Sequence, residues 1–396
     1  MPIVKVLDGN HAAAEAMRQI NPDVVAAYPI TPTSYIMEAF SVMVNNGAVE
    51  TEFVTVESEH AAMSACIGAC AAGGRVMTAT ASQGLAFMHE ALFNASGMRL
   101  PIVLINGNRA LGAPLSIHCD HSDCMAERDT GFLQLHAKDA QEMYDLLFQA
   151  FRIAEDESVR TPIMICMDAF QVTHTHQKVT IEDDEAVQKF IGKPILKNPL
   201  LDIENPVSYG GATRPDFYHE ARRSQLEGIL NAFAVIPAVG EEFGKAFGRD
   251  YSSFGEMYEL EDAEYAVVVL GSTFGAVKKV IDERREKGEK VGALRLRTFR
   301  PFPGAFVREC LDGKKGVAVM DRTSPVGAEG GPLFMEVRSA LYDLESRPRI
   351  FPFVYGLGSR ETSPANIHDI FEVLISGVSE KREIFPEESF WVNLRG

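Results

Sequence analysis

The stretch Asp23-Val24-Val25-Ala26-Ala27-Tyr28-Pro29-Ile30-Thr31-Pro32-Thr33-Ser34 decides how the rest of this chain is read. Its apolar start is short and partly β-branched, and two prolines then interrupt it. The pattern predicts a buried strand over 23–30 that stops at a turn and presents Thr31, Thr33 and Ser34 at its carboxyl end. Open α/β sheets bind ligands outside the carboxyl ends of their strands, so these hydroxyls are candidate contacts. Thr33 or Ser34 would equally serve as the N-cap of a following helix. On this stretch alone both readings stand.

Working outward, helix-like and strand-like segments alternate. A helix is predicted over 12–19 and a strand over 51–56. A helix of almost wholly small residues follows at 58–72, and Gly73-Gly74 ends it. Strands are predicted at 76–81, 101–106 and 162–168, with helices at 88–95 and 140–154 and a polar loop over 110–126. Such alternation argues a doubly wound α/β unit with a parallel sheet covered on both faces. Residues 177–258 break the rhythm with the turns Lys197-Asn198-Pro199, Glu204-Asn205-Pro206 and Tyr209-Gly210-Gly211 and a helix over 217–235. They read as an extended arm, too long and polar for an ordinary loop. Alternation resumes with strands at 265–271, 291–296, 316–320 and 351–355 and helices at 275–287 and 331–344. The expected organisation is a first domain over 1–258, arm included, and a second α/β domain over 259–396.

The totals bound the function. A net charge of −17 argues against a nucleic-acid surface, an anionic membrane, and a main docking face for an acidic redox carrier. No run approaches the ~18 apolar residues that a membrane span needs. Six cysteines without a dense framework fit a reducing compartment, and the opening run Met1–Gly9 has no signal-peptide pattern, so a cytoplasmic address is expected.

Several motifs carry candidate chemistry. Neither GxGxxG nor GxxxxGK[ST] occurs; Gly327-Ala328-Glu329-Gly330-Gly331 leads into a helix, as an anion cradle or a plain helix start. Cys66 and Cys70 lie four apart on a buried helix, without the close cysteine run of a ferredoxin, so no iron–sulfur cluster is expected on this chain. His118-Cys119-Asp120-His121-Ser122-Asp123-Cys124 resembles a metal site, with His174-Thr175-His176 nearby in sequence. One crowded loop is not the paired-knuckle spacing of structural zinc, and no metal is expected there. Arg109, directly after a buried strand, is placed either to fork onto a carboxylate or to make a surface ion pair. Glu59 opens the small-residue helix, as a dipole-favoured cap or as a hydrogen-bond partner for a cofactor ring nitrogen.

An ordered set of motifs points to a family. Leu7-Asp8-Gly9-Asn10, Ala27-Tyr28-Pro29-Ile30-Thr31-Pro32, Ser58-Glu59-His60-Ala61, Thr80-Ala81-Ser82-Gln83-Gly84, Asn108-Arg109-Ala110-Leu111 and Asp120-His121-Ser122-Asp123 appear in sequence. Gly271-Ser272-Thr273 and Leu296-Arg297-Thr298-Phe299-Arg300-Pro301-Phe302-Pro303 follow. Across nearly its whole length the chain resembles the α subunit of the thiamine diphosphate-dependent 2-oxoacid:ferredoxin oxidoreductases, most closely the pyruvate branch. The resemblance implies a pyrimidine-binding first domain and a transketolase C-terminal-like second one. It implies oxidative decarboxylation of a 2-oxoacid with coenzyme A, electrons leaving to ferredoxin. A β subunit would hold the diphosphate, Mg²⁺ and a [4Fe-4S] cluster, with ferredoxin-like γ and δ subunits beside it. The diphosphate module's Gly-Asp-Gly signature is absent here, which agrees. Carried over, Glu59 would bond the aminopyrimidine, Thr31 would contact substrate and Arg109 would pair with its carboxylate. Tyr28, Pro29, Ile30, Ser82 and Gln83 would line the cofactor, and His118 and Cys119 would select the substrate. Pyruvate is expected. A bulkier acid, such as phenylglyoxylate or a branched-chain 2-oxoacid, stays open, as does a transketolase-like or 2-oxoacid dehydrogenase β-chain-like enzyme.

Overall fold

The computed structural model describes residues 2–193, 198–385 and 389–395. Lys197, in one of the arm's proline turns, lies outside them. The opening stretch forms the strand Val24–Ala27, inside a seven-stranded sheet. Its order is Thr298–Arg300, Leu133–Ala137, Ile163–Asp168, Val103–Asn108, Val76–Thr80, Val24–Ala27 and Glu52–Thr55. All but the first run parallel. The central strands are continuous apolar runs because helices cover both faces. Gly9–Ile20, Ser34–Asn45 and Ala140–Glu155 pack on one side. Glu59–Ala71 and His89–Gly97 pack on the other.

A six-stranded sheet follows, in the order Phe390–Trp391, Arg349–Val354, Gly316–Asp321, Tyr265–Leu270, Val291–Leu296 and Gly255–Tyr258. Only Gly255–Tyr258 is antiparallel to its neighbour. The two sheets are not beads on a string. Met164 and Cys166 of the first share one buried cluster with Val268 and Leu294 of the second. Each fully buried aliphatic side chain there contributes roughly 1.5–3 kcal/mol, so neither sheet face is stable uncovered.

Buried charges also cross this boundary. Glu142 accepts hydrogen bonds from Arg295 Nη1 (2.9 Å), Arg295 Nη2 (2.8 Å) and Arg297 Nε (2.7 Å). Burial pushes its pKa up most strongly, but the two guanidiniums outweigh burial and hold the carboxyl at about 2. Asp168, at the end of its strand, accepts from Ser272 N (2.9 Å), Ser272 Oγ (2.6 Å) and Arg322 Nη1 (3.0 Å) and pairs with His121 Nε2 (2.8 Å). Burial again opposes its charge first, and Arg322 and His121 reverse this, holding the carboxyl far below the usual range.

The segment expected as an arm is partly regular. Gln177–Ile181 turns back to pair antiparallel with Ile3–Leu7, a strand the sequence pattern did not suggest. The helix expected over 217–235 runs from Pro215 to Phe247, passing through Pro237 and ending where Gly248 adopts a left-handed φ of 76°. Leu133–Ala137 was also missing from the expected strands. Its Gln134 and His136 are buried although polar, so the apolar signal that marks a central strand is broken. Gly331 caps the helix Pro332–Leu341, whose Leu333 and Phe334 N–H groups both donate to Asp321 at 2.9 Å. That helix start is therefore filled by the chain's own carboxylate and leaves those donors no room for a bound anion.

Candidate active site

The motif residues gather at the carboxyl edge of the first sheet, because four adjacent parallel strands each end in one of them. Tyr28 to Thr31 follow Val24–Ala27, Glu59 follows Glu52–Thr55, Ser82 and Gln83 follow Val76–Thr80, and Arg109 follows Val103–Asn108. Thr31 and Pro29 are exposed, and Tyr28 and Ile30 half-buried. Thr33 is buried; its Oγ1 donates to the Ile30 carbonyl at 3.0 Å and closes the turn, so it is not a free ligand contact.

Glu59 lies in the first turn of Glu59–Ala71, whose N-cap is Ser58, with Ser58 Oγ accepting from Ala61 N at 3.2 Å. Capping is therefore done by the serine, and Glu59 is left for another use. Its side chain is 8% exposed and makes no hydrogen bond or ion pair among the described residues. It lies against Gly84: a Cβ built there would stand 2.6 Å from Glu59 Oε1 and 2.5 Å from Thr80 Oγ1. That Thr80 hydroxyl is itself buried without a partner.

Arg109 is 7% exposed. Its Nη1 donates to the Thr31 carbonyl (2.9 Å) and its Nε to the Ser116 carbonyl (3.3 Å), so the structure brings Thr31 and Arg109 together through a backbone oxygen. Burial lowers its pKa, and the nearby Asp123 charge partly offsets this. It makes no salt bridge among the described residues. A buried guanidinium held only by carbonyls is a ready partner for a carboxylate.

Sequence reading overlooked Asp123. This buried carboxylate accepts from Ser82 N (3.0 Å), Arg109 N (3.0 Å), Asn106 Nδ2 (3.1 Å), Asn108 Nδ2 (3.1 Å) and Cys124 N (2.7 Å). Burial pushes its pKa up to about 6, against the opposing pull of those donors. The signal was the acid two residues past His121, lost among the apparent metal ligands of the same loop.

That loop divides rather than converging on one point. His118 is exposed and meets the Phe170 ring edge-on at 4.9 Å. Cys119, expected beside it in a substrate loop, is fully buried; its N–H donates to Ser359 Oγ at 3.0 Å. Cys119, His121 and Asp168 offer three atoms within 4.8 Å of one another, as do Cys124, His136 and Cys166. Asp168 is already committed to Arg322 and Ser272, and burial raises both Cys119 and Cys124 well above the ordinary thiol range. Burial likewise lowers His136 to about 3.

Comparison with known proteins identifies the lineage. Residues 15–240 match the family described as "Pyruvate flavodoxin/ferredoxin oxidoreductase, thiamine diP-bdg", and residues 263–367 match "Pyruvate:ferredoxin oxidoreductase core domain II". The chain belongs to the pyruvate:ferredoxin oxidoreductase family. It is 49% identical to the pyruvate synthase subunit PorA of Thermotoga maritima, over 98% of this chain and 97% of that one. It is 42% identical to the ketoisovalerate oxidoreductase subunit VorA of Pyrococcus horikoshii, over 100% of this chain and 99% of that one. In fold it is similar to a 2-oxoglutarate:ferredoxin oxidoreductase from Magnetococcus marinus, with TM-score 0.72 and 18% identity, covering 93% of this chain and 65% of that one. A split-gene transketolase aligns more loosely, with TM-score 0.52 and 12% identity, covering 94% of this chain and 96% of that one.

This family membership makes the chain an oxidoreductase subunit with a thiamine diphosphate-binding region. The residues present fit that group: a buried carboxylate and a buried hydroxyl, Glu59 and Thr80, both stand without hydrogen-bond partners among the described residues at the carboxyl edge of the first sheet. No helix among the described residues is long and apolar enough to cross a membrane.

Proposed function

We propose that this chain is the pyrimidine-binding subunit of a coenzyme A-acylating 2-oxoacid:ferredoxin oxidoreductase whose substrate is pyruvate. One paired observation carries the reading. A buried carboxylate without a partner (Glu59) and a buried guanidinium without a counter-ion (Arg109) share one sheet edge. Burial of unpaired ionisable groups is costly, and its concentration in a cleft marks function.

Thiamine diphosphate, when bound, supplies a carbon nucleophile and an electron sink for decarboxylation of a 2-oxoacid. Glu59 would hold a proton at its carboxylate oxygen against the aminopyrimidine ring. Arg109 would fork onto the substrate carboxylate, and its bond to the Thr31 carbonyl fixes the guanidinium plane before substrate arrives. Thr31, exposed beside it, is the hydroxyl best placed to orient the 2-oxo group. Tyr28, Pro29, Ile30, Ser82 and Gln83 would form the wall around the ring.

In this reading residues 1–258 form the pyrimidine-binding half and residues 259–396 the transketolase C-terminal-like half, except that Gly255–Tyr258 completes the second sheet and Thr298–Arg300 the first. A β subunit brings the diphosphate and Mg²⁺ half-site and a [4Fe-4S] cluster, and γ and δ subunits relay electrons to ferredoxin in the cytoplasm. The apolar side chains left open at this edge, Phe87 at 57% and Leu115 at 71% exposed, suit burial against such a partner. A branched-chain 2-oxoacid is the second reading. It rests on the 42% identity to a ketoisovalerate oxidoreductase subunit, equal to that with the Pyrococcus furiosus pyruvate synthase subunit PorA.

The test is the iron–sulfur absorbance of the purified native complex, with coenzyme A, against a panel of 2-oxoacids. Bleaching by pyruvate supports the reading, and bleaching only by a branched-chain acid moves the substrate and keeps the site. A complex without clusters, or one that no 2-oxoacid bleaches, removes the proposal.

A further inference from the structure

We infer that Asp123 is a positioning residue of this sheet edge, clamping the Ser82 turn and the Arg109 turn to each other so that the guanidinium is aimed before substrate binds. The inference rests on the reading of Arg109 as the carboxylate anchor. It begins with where Asp123 stands. It lies on the short helix Ser122–Ala126, on neither of the strands whose ends it joins. One oxygen, Oδ2, accepts from Ser82 N, Arg109 N and Asn106 Nδ2; the other, Oδ1, accepts from Asn108 Nδ2 and Cys124 N. A single atom therefore fixes the separation of two loops that come from different strands.

One backbone feature and two further contacts act in the same sense. Ser82 adopts a left-handed φ of 51°, a conformation uncommon for serine, and its N–H meets the carboxylate from there. Its hydroxyl donates to the Ala110 carbonyl at 2.5 Å, and Ser122 Oγ accepts from Leu111 N at 3.0 Å. The chain from Arg109 to Leu111 is thus held at three successive residues by Asp123 and its immediate neighbours. With its backbone immobilised, the Arg109 side chain reaches the Thr31 and Ser116 carbonyls as its other fixed points.

Every one of the five groups facing Asp123 is a donor, so a carboxylate suits the position and an amide does not. Asparagine has the same shape but must turn an NH₂ group against at least one backbone N–H. A group that merely stabilised the fold would, on substitution, lower the melting temperature and the fraction of active enzyme without changing substrate affinity. A group that aims the anchor changes KM.

The experiment uses the assembled complex, with steady-state reduction of an artificial acceptor against pyruvate concentration and with active sites counted by cofactor titration. Asp123→Asn is expected to raise KM for pyruvate by about tenfold or more and to lower kcat by less, as misaimed positioning groups do. A KM within twofold of the wild-type value would overturn the inference, whatever happens to stability. Should that variant not assemble, Asn106→Ala and Asn108→Ala carry the test. Asn106 shares Oδ2 with the two loop N–H groups and Asn108 does not, so KM is expected to rise for Asn106→Ala and to stay level for Asn108→Ala. Unchanged KM in both overturns the inference. A wild-type complex that no 2-oxoacid reduces overturns the site reading and this inference together, and is recognised before any variant is made.

Discussion

Glu59 and Glu142 both sit in the first turn of a helix, at 8% and 2% exposure, in the same half of the molecule. Glu142 is enclosed by Arg295, which reaches it from the second sheet, and Arg297, which links the strands Val291–Leu296 and Thr298–Arg300, and it is held ionised down to about pH 2. Glu59 has only the helix N-terminus, an orphaned threonine hydroxyl and a glycine beside it. Taking a carboxylate out of water costs several kcal/mol unless hydrogen bonds or opposite charges replace the water. The chain supplies replacements in full at Glu142, where two sheets must be joined. Among the described residues it supplies no hydrogen-bond or ion-pair partner at Glu59, where, on the proposed reading, a bound ring would find its acceptor. On the proposed reading, complete satisfaction marks the structural acid and the deficit the functional one.

Exchanging each acid for its amide tests that contrast most directly. Glu59→Gln should cut 2-oxoacid turnover by about 10²–10⁴-fold, the range of a lost acid–base group, with melting temperature and subunit assembly unchanged. Retained turnover would remove Glu59 from the chemistry. Glu142→Gln should do the reverse, destabilising the chain by about 3–5 kcal/mol because two buried guanidiniums lose their counter-charge. Denaturant midpoints measure this, and KM for the substrate should stay level in whatever enzyme remains folded. The two also differ in acid. The Glu142 carboxyl is depressed in the fold, so its contribution is fully present above the unfolded value of about 4.3 and fades as pH falls toward about 2. The stability gap between wild type and Glu142→Gln should therefore narrow over that window, and a constant gap would contradict the pairing.

Arg109 sharpens the comparison from the cationic side, since it too is buried without a counter-ion. Arg109→Ala should lower kcat/KM for the 2-oxoacid by about 2–5 kcal/mol, mostly through KM. Loss of stability without any change in 2-oxoacid dependence would make it a structural cation like Arg295.

Much of this was legible in the sequence because parallel strands buried on both faces read as apolar runs, and the candidate site residues stand where those runs stop. Glu59, Thr31, Ser82 and Arg109 each follow a strand by a few residues, so their convergence on one edge follows from the fold class. Other features depend on contacts that no local pattern records. Asp123 draws four of its five donors from the strand at 103–108, the turn after it and the turn after the strand at 76–80, and in sequence it sits among histidines and cysteines that draw attention to metal. Cys119 and His118 are neighbours in sequence, but one is buried and the other exposed. Leu133–Ala137 is a central strand carrying two buried polar side chains. Thr298–Arg300 leaves the second sheet's neighbourhood to pair with it, and Arg295 and Arg297 follow to meet Glu142. Such long-range pairings are set by packing between segments over 150 residues apart.

The smallest expected effect probes the deficit at Glu59 without touching its charge. A methyl group at position 84 would stand 2.5 Å from Thr80 Oγ1, 2.6 Å from Glu59 Oε1 and 2.8 Å from Glu59 Cγ. Thr80 is fully buried on a central strand and has no room to retreat, so the glutamate must swing away. Overpacking of this kind costs about 1–3 kcal/mol. Gly84→Ala should accordingly lower the melting temperature by a few degrees, and calorimetric titration should show weaker thiamine diphosphate binding, because the carboxylate offered to the ring has moved. Glu142→Gln, with its larger loss of stability, should leave that affinity alone. If Gly84→Ala keeps full cofactor affinity while still destabilising the chain, the position of the Glu59 carboxylate does not matter, and the contrast between the two acids reduces to a difference in packing.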